Sequence, residues 1–183
     1  MTLDRRSFIK VLGSASGLAL AGCAAQGPVG STTEIMPKGA TRRVVVVGGG
    51  FGGAIAAKYI RMLDKSIEVV LVEQNRQFIS CPFSNFYIAG LMNDMSTLTI
   101  GYDKLAANHG IKMVYGVATA IDPAAKKVVT TEGTLTYDRL IVSPGIDFRN
   151  EEVEGYTADS ANTIPHAWKA GPQTVQLAQQ LQS

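Results

Sequence analysis

The chain has 183 residues, 17 Lys plus Arg against 15 Asp plus Glu, two Cys, 19 Gly and 46% apolar residues. That is one domain's worth of chain, and a charged fraction of only 17% with ordinary apolar content excludes a disordered acidic or basic tail. A net charge of +2 with basic residues no denser than pairs leaves no stripe for nucleic acid, and Cys23, Cys81, His109 and His166 are far from zinc-finger spacing, so no metal site is expected.

Residues 1–22 run from a basic start (Arg5, Arg6, Lys10) into the uncharged stretch Val11 to Ala21, which reads as an export signal. As a helix that stretch would rise only about 16 Å, half the hydrocarbon core, so a permanent span is not expected. Asp4-Arg5-Arg6-Ser7-Phe8-Ile9-Lys10 looks like the twin-arginine motif, which implies export of a folded protein to the periplasm. Leu20-Ala21-Gly22-Cys23 resembles the bacterial lipobox, whose Cys becomes a lipid anchor. Plain cleavage near Ala24 and Ala25, or a structural Cys, are the alternatives. Residues 23–41, rich in Gly, Pro, Ser and Thr, are expected to form a tether, with the folded part starting at Arg42.

Val44 to Val47 is a β-branched run without polar alternation, as in a strand buried on both faces of a parallel sheet. It ends on Gly48-Gly49-Gly50-Phe51-Gly52-Gly53, followed by the helical pattern Ala54, Ile55, Ala57, Tyr59, Ile60, Leu63. Strand, glycine turn and helix are the context a dinucleotide-binding GxGxxG requires: Gly48 for the turn, Gly50 for approach to a pyrophosphate, Gly53 for helix packing on the strand. A second strand, Ile67 to Val72, ends in Glu73, twenty residues past Gly53. An acid there suits ribose hydroxyls and repels a 2′-phosphate, which selects FAD or NAD over NADP. Gly48, Gly50, Phe51, Gly52, Gly53, Glu73, Gln74 and Asn75 are therefore cofactor-binding candidates.

Beyond Glu73 a short helical pattern (Phe83, Phe86, Tyr87, Leu91) follows Pro82, which makes Cys81 an N-cap candidate whose thiol a helix dipole would activate. A buried Cys acting as a small hydrophobe is the alternative. Tyr102 to His109 reads as a helix and Ile111 to Tyr115 as a strand. Val117 to Ile121, Lys126 to Thr131 and Leu135 to Tyr137 are strand pieces divided by Asp122-Pro123 and Glu132-Gly133, a small antiparallel meander. Leu140 to Val142 is a last buried strand ending at Ser143-Pro144-Gly145. His109 suits a helix end and His166 a loop, and Trp168 is expected to serve packing, within the chain or against a partner, and not chemistry.

Val44 to Glu73, Cys81-Pro82-Phe83-Ser84-Asn85, Tyr137 to Gly145 and Pro165-His166-Ala167-Trp168-Lys169-Ala170-Gly171 together resemble the flavoprotein subunit of flavocytochrome c sulfide dehydrogenase. The resemblance implies an α/β, Rossmann-like FAD-binding domain of the disulfide-reductase-like flavoprotein type, a parallel sheet with a small antiparallel β-meander. It places Ser143 and Gly145 beside FAD and Ala118 where backbone touches the adenine. It implies a thioether between Cys81 and the 8α-methyl carbon of FAD, sulfide as substrate and a c-type cytochrome subunit as partner. Sulfide:quinone reductases keep the Ser-Asn part, and Cys81 separates the two readings. A membrane-facing quinone reductase, such as those or a type II NADH dehydrogenase, and a non-enzymatic exported nucleotide-binding module are the competing readings.

The sulfide-reacting disulfide of that family needs two further cysteines, so a redox cysteine pair is expected beyond Ser183 and no catalytic residue is assigned within the chain. Residues 42–150 are read as the N-terminal part of the FAD domain and 151–183 as the start of a connection to a second, NADH-like domain. Gln173 to Ser183 shows an amphipathic helix pattern that stops without a cap, and the sequence reads as truncated.

Overall fold

The structure is a computed structural model and describes residues 33–183; the stretch read as an export signal, Cys23 and the first part of the expected tether lie outside the described residues. In chain order the elements are β1 (Arg43–Val47), α1 (Phe51–Leu63), β2 (Glu68–Glu73), β3 (Gln77–Ile79), α2 (Ser84–Ile88), β4 (Thr99–Gly101), α3 (Asp103–His109), β5 (Lys112–Tyr115), β6 (Ala118–Asp122), β7 (Lys127–Thr130), β8 (Thr134–Thr136), β9 (Arg139–Val142) and α4 (Pro172–Gln182). Among the described residues no helix is long and apolar enough to cross a membrane.

The main sheet is parallel throughout, in the order β5-β2-β1-β9. Successive side chains of a strand point to opposite faces, so unbroken apolar runs serve two cores at once. Val44, Val46, Val69 and Leu71 face one side and pack with Ala57 of α1, Tyr102 and Ile111. Val45, Val70 and Val72 face the other and pack with Val128 and Leu135 of the meander β6-β7-β8 and with Tyr137, which follows it. The sheet is thus sandwiched between helices and meander, which is why its strands lack polar alternation.

One charge sits in this core. Arg43, expected only to precede the first strand, is its first residue and is 1% exposed. Its guanidinium meets the Glu68 carboxylate at 2.5 Å and donates to the carbonyls of Met36 at 2.7 Å, Pro37 at 3.2 Å and Thr136 at 3.4 Å. Burial pushes the Glu68 carboxyl up, but hydrogen bonds from Arg43 and Lys112 outweigh it and hold the group below its usual range. The described part of the tether is accordingly docked: Ile35 N donates to Thr134 O at 3.1 Å, and Ile35 and Met36 pack on the second core. Ordered contacts therefore begin by Thr33, ahead of the Arg42 boundary expected from composition.

Two further features depart from the sequence reading. β3 and β4 form an antiparallel pair that no pattern announced. Cys81 is not a helix cap: α2 begins at Ser84, and Phe83 precedes it at φ 70°, ψ −3°. Ser84 N donates to Cys81 O at 3.0 Å, closing a four-residue turn. Phe83 holds the second central position of a type II turn, with Pro82 at the first, where proline is favoured. Pro82 thus makes a corner instead of opening the helix. From Asn150 onward, short 3-10 turns at Asn150–Glu152 and Ala158–Asn162 lead to α4, which folds back on α2.

Candidate functional site

Because β1, β2, β5 and β9 run the same way, their C-terminal ends share one edge, where open parallel sheets bind ligands. The glycine turn leaves β1 there, Glu73-Gln74-Asn75 ends β2, and Ser143 follows β9. The ladders run into the turn: Gly48 N donates to Val72 O at 2.9 Å and Ser143 N to Val47 O at 2.8 Å. Gly48 has φ 98°, and a Cβ on it would lie 2.0 Å from Ser143 O. A Cβ on Gly53 would lie 1.8 Å from Gly48 O, so both glycines are required by close backbone approach.

Gly50 differs: a Cβ there would meet only Phe78 Cε2, at 3.7 Å. The first intrahelical bond of α1 runs from Ala54 N to Gly50 O at 3.0 Å, so the amides of Phe51, Gly52 and Gly53 precede the helical ladder. Such amides at the start of a helix favour an anion. Phe51 is exposed and stands edge-on to Phe78 at 4.9 Å between centroids. Ser143 Oγ lies 2.8 Å from where a side chain on Gly52 would begin, so the serine lines the turn from the β9 side.

The Glu73 carboxylate holds the turn in place. Oε2 accepts from Gly49 N at 2.7 Å, and Oε1 from Asn75 N at 3.0 Å and Asn75 Nδ2 at 3.2 Å. A carboxylate has about four acceptor sites, so capacity remains for a sugar hydroxyl. Gly116 N donates to Glu73 O at 3.0 Å, and two residues later the half-buried Ala118 opens β6 opposite Thr130. The Arg76 guanidinium lies 4.7 Å over the Tyr115 ring, closing the loop after the acid. An open patch over Gly50, anion-seeking amides and an acid within one turn fit the pyrophosphate and ribose of a dinucleotide. A built Cβ on Gly145 meets nothing within 4 Å.

Sequence reasoning missed Tyr102. It is 3% exposed, and its hydroxyl donates to Gly49 O at 3.0 Å. Burial, and then the Glu73 charge, push its phenol well above the usual value, so it stays protonated and donating. The one trace of it in the sequence is the additional glycine at Gly49, which the GxGxxG pattern does not require.

Cys81 lies two residues past β3, whose Phe78 touches the start of α1. Its thiol is exposed and lies 3.4 Å from Trp168 O. Beside it a cavity of about 360 Å³ is lined by Phe148, Tyr156, Ile164, His166 and Trp168 among others. The His166 ring lies 4.2 Å from that of Phe148, and its Nδ1 is buried without a hydrogen-bond partner. His109 ends α3, before Gly110 in the left-handed region, and its carbonyl accepts from Arg61 at 2.8 Å.

The profile of the pyridine nucleotide-disulphide oxidoreductase family matches residues 42–179. The chain belongs to that family. It is 69% identical over 45 residues to the flavoprotein chain of a sulfide dehydrogenase (flavocytochrome c) from Chlorobaculum thiosulfatiphilum, covering 25% of this chain and 94% of that sequence. It is 27% identical over 144 residues to a type II NADH:quinone oxidoreductase of Mycobacterium tuberculosis, covering 75% of this chain and 30% of that protein. The fold superposes on the sulfide:quinone oxidoreductase of Aquifex aeolicus with a TM-score of 0.64 at 25% identity, over 78% of this chain and 32% of that one. The chain thus spans about a third of these two longer relatives.

Proposed function

We propose that the chain is the FAD-binding part of an oxidoreductase that takes electrons from sulfide and passes them to a c-type cytochrome subunit. The observation that carries the reading is the Gly48–Gly53 turn at the C-terminal sheet edge, with Glu73 bonded across it at 2.7 Å. FAD, when bound, supplies acceptance of an electron pair and its release in single steps. The chain's own residues bind and orient. The α1 amides and the Gly50 backbone take the pyrophosphate, Glu73 takes the ribose and disfavours a 2′-phosphate, and Ser143, Gly145 and Ala118 line the remainder. The exposed Cys81 sulfur, in a turn held to Trp168 O, is the atom for covalent attachment. Sulfide and the cytochrome rest on the identity with the flavocytochrome c flavoprotein chain.

A quinone as acceptor is the competing reading, favoured by the likeness to the Aquifex aeolicus enzyme. Acid precipitation of the flavin-replete protein from its native host tests both. Flavin should stay on the polypeptide and become extractable in Cys81→Ala. Release from the wild type would remove the attachment and favour the quinone reading, whereas no flavin at all would leave an exported nucleotide-binding module. We extend the proposal to the periplasm, reached by the twin-arginine route with Cys23 either lipidated or removed. Intact-mass measurement of the mature N-terminus checks this: a chain still beginning at Met1 would oppose it.

A further inference from the structure

We infer that Tyr102 is a positioning residue for the dinucleotide turn, its buried hydroxyl fixing the Gly49–Gly50 peptide while Glu73 fixes the peptide before it. The inference rests on the reading of this turn as the FAD pyrophosphate site. Gly48-Gly49-Gly50 is the most conformationally free sequence a turn can have, and without restraint it would lose that freedom only on binding. Two bonds remove it beforehand. Gly49 N donates to Glu73 Oε2 at 2.7 Å, and Gly49 O accepts from Tyr102 at 3.0 Å. In a trans peptide the N–H points opposite to the C=O, so seating Gly49 O on the buried tyrosine turns the Gly50 N–H away from it.

The tyrosine is itself held. It caps α3, where Ala106 N donates to its carbonyl at 2.9 Å, and its ring lies 6.5 Å from that of Tyr115 at the end of β5. Helix and sheet therefore transmit their rigidity to the turn through one hydroxyl. The same contact explains the glycine at position 49. A Cβ there would lie 2.7 Å from the Tyr102 hydroxyl oxygen and 2.9 Å from ring carbons Cε1 and Cζ. Gly49 and Tyr102 are one coupled device.

The test uses the full chain carrying Cys81→Ala, so that FAD exchanges freely, and reads FAD affinity by flavin fluorescence. Tyr102→Phe keeps the ring and should weaken FAD binding about three- to tenfold. The Gly49 and Gly50 amide resonances should shift while those of the meander stay. Gly49→Ala should weaken binding further, and the double variant should lose less than the product of the two single losses, because both single variants disturb the same Tyr102–Gly49 contact. Unchanged FAD affinity in Tyr102→Phe, or a melting shift without an affinity change, overturns the inference while leaving the site intact. Independent losses in the double variant overturn the coupling. Absence of FAD binding in the Cys81→Ala parent, with none in the wild type, overturns the FAD reading and this inference with it.

Discussion

The strand-end cluster and the segment from Ile146 to Trp168 are built on opposite principles. At the strand ends, backbone ladders carry straight into the glycine turn, and Gly49 is bonded through both its N–H and its C=O. Along the later segment, Ile146, Val153, Ile164 and Trp168 are 59–74% exposed, and His166 Nδ1 is buried without a partner. A site made from ladder bonds is rigid before any ligand arrives. One made from side chains on irregular backbone has few buried apolar contacts to hold it, the mark of a region that opens at low cost. The difference is testable in stability.

The largest effect is expected at Arg43, which joins the sheet, the meander and the docked tether. Arg43→Ala should cost about 3 to 5 kcal/mol, because it takes from the partly buried Glu68 carboxylate one of its two cationic partners, leaving only Lys112, and removes a donor from three carbonyls. Urea denaturation measures it. Glu68→Gln should cost less, and the pair together less than the sum, since both variants break one bond. A loss below about 1 kcal/mol in Arg43→Ala would mean the sheet does not depend on this pair.

Acid sharpens the same contrast. The folded Glu68 carboxyl lies below its usual range, so the unfolded chain binds the proton more readily. Its contribution is present in full above the unfolded value of about 4.3 and is lost as pH falls through the folded value. Melting temperature should hold down to about pH 5 and then drop. In Glu68→Gln the acid limb should be shallower. An identical limb in both proteins would put acid sensitivity elsewhere, with Asp138, also held low by the Arg43 amide and Lys38, the next group to replace.

Much of the first region was legible because its signals are local. Val44 to Val47, the glycines at 48, 50 and 53, and Glu73 at the end of the next strand fixed strand, turn, helix and acid, and turn residues divided the meander. What escaped depends on partners distant in sequence. The three-residue strands Gln77–Ile79 and Thr99–Gly101 pair across a long excursion that contains α2, with no short hairpin turn to announce the pairing. Arg43 reads as a boundary charge until Glu68 is seen beside it. Pro82 suits a first helical turn and a type II corner equally, and a phenylalanine at φ 70° gives no hint of the second. Tyr102 looks like any helix-start aromatic until its hydroxyl is found on Gly49.

The smallest effect is expected at Trp168. A buried tryptophan in the main sheet's core would cost about 3 to 5 kcal/mol on truncation. Here the side chain is 74% exposed, and its link to Cys81 runs through the main-chain carbonyl, which any residue supplies. Trp168→Ala should therefore change unfolding free energy by no more than about 0.5 kcal/mol, read from the same urea curves. A loss several times larger would show that the Ile146–Trp168 segment is packed as tightly as the strand ends, and the contrast between the two regions would fall.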